Sequence, residues 1–241
     1  MTDLPTKARA VVIGGGVSGC SIAYHLTLLG WDEVVLLERR QLTCGTTWHA
    51  AGLIGQLRPN QNMTRLAKYS TDLYVRLEEE TGIATGMRQN GSMTVALTEE
   101  RTEEIRRQGS LARAFGVAVD EITPSEAKAL YPHLNVDDAV AAVHLPGDGQ
   151  ADPANIALAL AKGARMRGAA IHEGVTVTAI RHDRGRVTGV DWEADGERGT
   201  IEAGVVVNAG GMWAREIGRM AGVTVPLHAC EHFYIVTEPV A

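Results

Sequence analysis

Two short stretches of this 241-residue sequence hold residue types whose spacing has chemical meaning. The first is Gly14-Gly15-Gly16-Val17-Ser18-Gly19, which fits G-x-G-x-x-G. In such a turn Gly14 allows the tight bend, Gly16 lets backbone approach a pyrophosphate, and Gly19 lets helix and strand pack closely. Val17 and Ser18 open the following helix, whose exposed N–H groups suit a diphosphate. Glu38 lies about 20 positions on, at the end of the next apolar run, where a carboxylate accepts hydrogen bonds from an adenosine ribose. A carboxylate there disfavours a 2′-phosphate, and so NADP. Arg39 follows it and reads equally as a neighbour of adenine or as a surface charge.

The second stretch is LTCGTTWHAAGL, residues 42–53. A dinucleotide turn alone does not explain one large ring and one imidazole followed by small residues. A flavin does. Thr46 and Thr47 would offer hydroxyl and backbone donors to a diphosphate at the start of a second helix. Ala50, Ala51 and Gly52 leave room for a flat ring against the backbone, and His49 would face its edge. A neutral imidazole nitrogen is a nucleophile. The plainer readings stay open: His49 as a hydrogen-bonded residue at a helix start, and Trp48 and Trp213 as core. A nicotinamide-dependent dehydrogenase would leave TTWHAAG without a role.

Positioning these residues falls to elements with clear patterns. ARAVVIGGG is a buried strand running into a glycine turn. VSGCSIAYHLTLLG has helical spacing and ends at Gly30, and EVVLLE is a second buried strand, which completes one right-handed βαβ unit. An amphipathic helix is predicted from Met63 to Glu80, stopped by Thr81-Gly82. SMTVAL is a short strand, and EERTEEIRRQGSLARAFG is a charged, solvated helix. Thr123, Pro124 and Glu126 form a capping box. AVAAVHLPGDG is a strand and turn, and Asp152-Pro153 starts another helix. From IHEG to about residue 203 short runs split by Asp, Gly and Arg predict a small antiparallel meander. It feeds a last buried strand, GVVVNAGG, and a helix from about Met212. TVPLHACEHFYIVTEPVA reads as strand-like.

Composition sets the outer limits. The length allows one large domain or two modest ones. A net charge of −6 argues against nucleic acid or an anionic membrane surface as partner. No apolar run approaches the roughly 20 residues of a membrane span. MTDLPTKARA lacks an apolar signal core and is too short and mixed for a transit peptide, so a cytoplasmic location is expected. Three cysteines with no CxxC read as reduced thiols. His228, Cys230 and His232 alternate on one face, but no fourth ligand accompanies them, and no metal is expected. No P-loop, G-x-S-x-G or H-E-x-x-H is present.

GTTWHAAGL resembles the flavin-attachment segment of the sarcosine and dimethylglycine dehydrogenases, within the wider amino-acid-oxidase-like flavoproteins. The likeness continues through GQLRP, LEEETG, QNGS, LYPHLNVDD, DGQADPA, VVNAGGMWAREIGRMAGVTVPL and HFYIVTE. These segments, with LRPNQN, look more like the sarcosine branch. The resemblance implies FAD as cofactor, carried covalently by His49 through the 8α-methyl of the isoalloxazine. It places Gly45, Thr46, Thr47, Trp48, His49, Ala50, Ala51, Gly52 and Leu53 around the diphosphate and flavin, Glu38 and Arg39 at the adenosine, and Val175 beside the adenine. Ala209, Gly210 and Trp213 fall in a second cofactor-facing turn. The implied reaction is oxidation of a small N-methylated amino acid to an imine, with the one-carbon unit released as formaldehyde or captured by folate. The electron acceptor stays open.

The expected fold is therefore α/β: an FAD-binding, Rossmann-like parallel sheet with a small antiparallel meander and part of an α+β substrate domain. Residues 1–60 and 150–222 would form the cofactor domain, and 61–149 with 223–241 a partial substrate domain. Family members are much longer. Further FAD contacts, most substrate groups and the folate-binding region of those members lie beyond the point where this chain stops. This chain is thus expected to be an N-terminal part, either catalytic or an inert fragment. A substrate carboxylate calls for an arginine clamp, for which Arg58 is the one candidate.

Overall fold

The computed structural model describes residues 4–238. In chain order the elements are β1 (Lys7–Ile13), α1 (Val17–Leu28), β2 (Val34–Glu38), a 3-10 turn (Thr47–His49), β3 (Leu53–Ile54), α2 (Gln61–Thr81), β4 (Ser92–Ala96), α3 (Glu99–Ala114), β5 (Asp120–Ile122), α4 (Pro124–Leu130), β6 (Ala141–Leu145), β7 (Gly149–Gln150), α5 (Pro153–Met166), β8 (Ala170–Glu173), β9 (Thr176–Asp183), β10 (Arg186–Ala194), β11 (Glu197–Asn208), a second 3-10 turn (Gly211–Trp213) and α6 (Ala214–Met220). They form two units. One runs to Thr47 and resumes at Ala164; the other is Trp48–Gly163.

In the first unit six strands lie in the order β8-β2-β1-β11-β10-β9. The four from β8 to β11 are parallel, and β10 and β9 continue the sheet antiparallel. In β1 and β2, Val11, Val12, Val35 and Leu36 are buried, which is why these two strands read as unbroken apolar runs rather than alternating ones. Helix α1 buries Cys20, Ala23, Tyr24 and Thr27, a stripe at helical spacing. It ends at Gly30, whose φ of +80° suits a residue without Cβ.

Two sequence expectations change here. The IHE segment is not part of the meander: as β8 it pairs parallel with β2, from Val35↔Ala170 to Glu38↔Glu173. Nor is the last strand separate from the meander, and it is not buried as expected: Val205 is 40% exposed, and Val206 and Val207 are half-buried. Residues 197–202 of β11 pair with β10, and residues 202–208 pair with β1. One strand thus carries the chain from the antiparallel part into the parallel part. A pattern of apolar runs shows that a strand exists but not which neighbours flank it.

The buried Cys20 gives a direct chemical test. Its Sγ lies 3.5 Å from the Gly15 carbonyl, and burial pushes its pKa up to about 12, partly offset by the Arg165 charge. Cys44 and Cys230 are exposed. We expect two thiols per native chain to react with a disulfide reagent at pH 8, and the third only after unfolding. A raised native pKa is stabilising below the unfolded thiol's value of about 9. That contribution falls as pH rises from there towards 12. Three fast-reacting thiols in the native chain would contradict this packing.

The second unit contains an antiparallel sheet in the order β4-β6-β5 and the small pair β3-β7. Ile105 and Ala112 of α3 pack on Ala96, Val143 and Leu145. The helix signals hold: Thr123 and Glu126 form the reciprocal capping box, and Asp152 accepts the N–H groups of Ala154 and Asn155. Helix α2 starts slightly before its first apolar residue, because Asn60 caps it by accepting the Met63 N–H at 2.9 Å. Residues 48–60 and 150–163 cluster in this unit, where Leu53↔Gln150 and Ile54↔Gly149 join them. Residues 223–238 cluster with the first unit. The strand expected there does not form among the described residues: no ladder partner flanks it, and Phe233 and Ile235 are 86% and 89% exposed. Residues 239–241 of that stretch lie outside the described residues.

Candidate functional site

The glycine turn after β1 is shaped by contacts that no side chain would permit. Gly14 has φ +110°, and a Cβ on it would lie 2.5 Å from the Ala209 carbonyl oxygen. A Cβ on Gly19 would lie 1.8 Å from the Gly14 carbonyl oxygen, so this glycine lets α1 rest on the turn. Gly16 differs. It caps α1 with extended backbone and no side-chain hydrogen bond, and a Cβ there would meet only the Thr47 hydroxyl, at 3.0 Å. Two of the motif glycines therefore serve the protein's own packing, and the third keeps the helix start bare.

The turn opens into a cleft of about 450 Å³ in the first unit. Its walls come from the C-terminal ends of β1, β2 and β11, the place where open α/β sheets bind ligands. Gly14 and Gly16 form one wall, Glu38 and Arg39 a second, Gly45, Thr46 and Thr47 a third, and Ala209, Gly210 and Trp213 a fourth, with Val175 beside them. Val17, Ser18 and Gly19 stand behind the turn in the first turn of α1 and do not line the cleft.

Local hydrogen bonds hold the walls. Thr47 Oγ1 accepts the Val17 N–H at 3.0 Å, so its own hydroxyl proton is left to donate. Glu38 is buried, and its carboxylate accepts the N–H groups of Gly15 at 2.7 Å and Arg40 at 2.9 Å. An ionised carboxylate has about four acceptor positions, which leaves capacity for a ribose. The Val175 N–H donates to the Glu38 carbonyl at 2.9 Å, so the polar group it can offer a ligand is its carbonyl. The Arg39 guanidinium lies 4.0 Å from the Trp213 ring centroid, a cation–π pair that joins two walls.

Sequence reading missed some of the lining: Arg40, Cys44, Val177, Gly211, Ile217 and Met220 also face the cleft. A signal existed for three of them. Val177 follows Val175 with the period of a strand, and Ile217 and Met220 are neighbours on one face of α6.

Trp48, His49, Ala50, Ala51, Gly52 and Leu53 belong to the second unit. The second helix expected at Thr46-Thr47 is a single 3-10 turn, Thr47–His49. Within that unit the chain bends at Gly52, which has φ +77° and where a Cβ would lie 2.2 Å from the Ala151 carbonyl oxygen. Trp48, His49, Ala50, Ala51 and Leu53 are exposed, with Trp48 at 55%. The rings of Trp48 and His49 lie with centroids 3.7 Å apart and their planes tilted by 35°. The His49 ring is thus presented outward and not packed into protein.

The donor set fits a flavin dinucleotide. Bare backbone at two strand-to-helix turns suits a diphosphate, a buried carboxylate suits a ribose, and apolar sides from Val175, Val177, Ile217 and Met220 suit an adenine. No group of His, Cys, Asp and Glu among the described residues has the arrangement of a metal site. No helix among them is long and apolar enough to cross a membrane.

Comparison with known proteins agrees. Sarcosine dehydrogenase, mitochondrial, from Homo sapiens is 47% identical over 98% of this chain and 26% of its own length. Dimethylglycine dehydrogenase, mitochondrial, from Rattus norvegicus is 41% identical over 97% of this chain and 27% of its length. The chain therefore spans about a quarter of the length of these relatives. The crystal structure of L-proline dehydrogenase from P. horikoshii matches with a TM-score of 0.85 at 33% identity, over 91% of this chain and 57% of that one. A family model described as FAD dependent oxidoreductase matches residues 9–241, and the chain belongs to that family.

Proposed function

We propose that this chain is the cofactor-binding part of an FAD-dependent dehydrogenase that oxidises the N-methyl group of a small amino acid, sarcosine before dimethylglycine. The observation that carries this reading is the exposed Trp48-His49 pair, two rings turned outward directly after the Thr47 wall of the cleft. A large apolar ring beside an imidazole at such a position offers a flat, partly polar ligand a surface to lie against.

Each group then has a task. Gly16 and the first turn of α1 would receive the diphosphate, with Ser18 offering backbone while the Val17 N–H stays on Thr47 Oγ1 and fixes that wall. Glu38 takes the ribose hydroxyls. Val175 and Arg39 bound the adenine, and Ala209, Gly210 and Trp213 close the opposite wall. His49 would be the residue that holds the isoalloxazine, through its 8α-methyl, while the small residues Ala50, Ala51 and Gly52 would leave room beside it. Bound FAD supplies the two-electron acceptor for a hydride equivalent from the N-methyl carbon of the neutral amine. The protein contributes placement and exclusion of water. The imine then hydrolyses to an amine and formaldehyde; capture by folate belongs to longer family members.

A second reading, a chain that binds FAD and turns nothing over, is favoured by its span of about a quarter of its relatives. Turnover of sarcosine and dimethylglycine by the flavin-loaded chain, with an artificial electron acceptor, separates the two. Formaldehyde from sarcosine, faster than from dimethylglycine, is the expected result. Bound flavin with no turnover of either substrate establishes the second reading. The three unbonded thiols suit a reducing compartment such as the cytoplasm, which cell fractionation tests.

A further inference from the structure

The second 3-10 turn and α6 present one stripe of side chains to the cleft of the first unit. Trp213, Glu216, Ile217 and Met220 all line it, at the spacing of one helical face. Contacts on both sides of α6 fix that orientation. At its start Asn208 Nδ2 donates to the Ala214 carbonyl at 2.8 Å, and the Gly210 N–H donates to Asn208 Oδ1 at 3.1 Å. A Cβ on Gly210 would run into Ile217 Cδ1, so bare backbone seats that side chain. On another face Gly218 is buried against Val225, where a Cβ would find no room.

Glu216 is the odd residue of the stripe. The other members are aromatic or apolar, and Ile217 and Met220 pack on the core that contains Val175 and Val177. The Glu216 carboxylate makes no hydrogen bond or ion pair among the described residues. Arg39 and Arg40 line the same cleft, but neither pairs with it, and the Arg39 guanidinium lies over the Trp213 ring. An ionised carboxylate only accepts hydrogen bonds. Val175 adds a second acceptor and no donor, because its N–H is spent on the Glu38 carbonyl at 2.9 Å. The apolar end of the cleft therefore meets a base with acceptors. Adenine carries an amino group with two N–H donors at its 6 position, whereas a 6-oxo purine carries an acceptor there.

Resting on the reading of this cleft as an FAD site, we propose that Glu216 is a specificity-determining residue that accepts a hydrogen bond from the 6-amino group of adenine. It selects an adenine dinucleotide over one with a 6-oxo purine, whose oxygen would face the carboxylate with no proton between them. Asn208 and Gly210 are positioning residues that aim the stripe.

The test is calorimetric titration with FAD and with deaminated FAD, which carries hypoxanthine in place of adenine. The parent is the full chain with His49→Ala, which keeps flavin exchange reversible, and Glu216→Gln and Glu216→Ala are made in that background. Glu216 is exposed, so melting curves of the variants should match the parent. The parent should bind FAD on the order of 10- to 100-fold more tightly than the analogue. In Glu216→Ala the preference should shrink because FAD binding weakens and analogue binding does not. In Glu216→Gln the analogue should bind more tightly than in the parent, because the amide nitrogen donates to the 6-oxo group. A preference that survives both substitutions, as it would if the two ligands changed equally through charge alone, overturns the role of Glu216 and leaves the FAD reading standing. A parent that binds both dinucleotides equally has the same consequence. A parent that binds neither removes the FAD reading and the role of Glu216 with it.

Discussion

Gly19→Val is expected to leave no folded first unit. The new Cβ would start 1.8 Å from the Gly14 carbonyl oxygen and 3.0 Å from its carbon. Both atoms are backbone, so no side chain can rotate away. The turn cannot retreat either, because the Gly14 N–H is bonded to the Leu37 carbonyl at 2.9 Å and the Ala209 N–H to the Ile13 carbonyl at 2.9 Å. Moving α1 outward would strip Cys20, Ala23 and Tyr24 of their packing. The cost should exceed about 4 kcal/mol, where most single changes cost 0.5–3 and whole domains hold only 5–15. Loss of soluble protein, or of the cooperative denaturant transition, is the readout.

The informative comparison is Gly16→Ala. Its Cβ would meet only a hydroxyl at 3.0 Å, and the local φ of −77° suits any residue. This variant should fold with a stability change of about 1 kcal/mol or less. It should bind FAD at least roughly tenfold more weakly, because a methyl group intrudes where backbone must approach a diphosphate. Undiminished FAD affinity in Gly16→Ala would remove the phosphate turn from the site. A stable Gly19→Val would show that helix and turn do not meet as closely as the structure has them.

His49→Ala should abolish covalent flavin while leaving the fold intact. In the wild-type chain, acid precipitation is expected to carry yellow colour and flavin fluorescence into the pellet. In the variant both should move to the supernatant, a change from near-complete attachment to none. The side chain is exposed, and its ring contact is to the neighbouring Trp48, so its removal opens no cavity in the core. Trp48→Phe serves as the control: it keeps an aromatic neighbour and should keep the attachment. Flavin still fixed to the His49→Ala pellet would show that another residue is the anchor.

Much of the cofactor half was legible from residue order, for a physical reason. A βαβ unit and its phosphate turn are local: about 30 consecutive residues contain the strand, the glycines, the helix and the carboxylate. The spacing from Gly14 to Glu38 therefore specified both the turn and the carboxylate beside it without knowledge of the rest of the chain. Helix caps were legible for the same reason, since Thr123 and Glu126 act within one turn.

What needed the tertiary structure were pairings between distant segments. Whether β8 belonged to the meander or to the parallel sheet depended on its lying against β2, more than 130 residues away in the chain. The Thr47 wall depended on a hydrogen bond to Val17 across 30 positions, and the chain after β3 on the bond from the Gln56 N–H to Asp148 across 92. The division of labour among the glycines was likewise invisible in the motif, which writes Gly14, Gly16 and Gly19 alike. Only the positions of the Ala209 and Gly14 carbonyls and the Thr47 hydroxyl separate the glycines that packing requires from the one whose surroundings stay open. Local chemistry follows from the order of residues, whereas steric exclusion depends on which distant backbone the fold brings within contact distance.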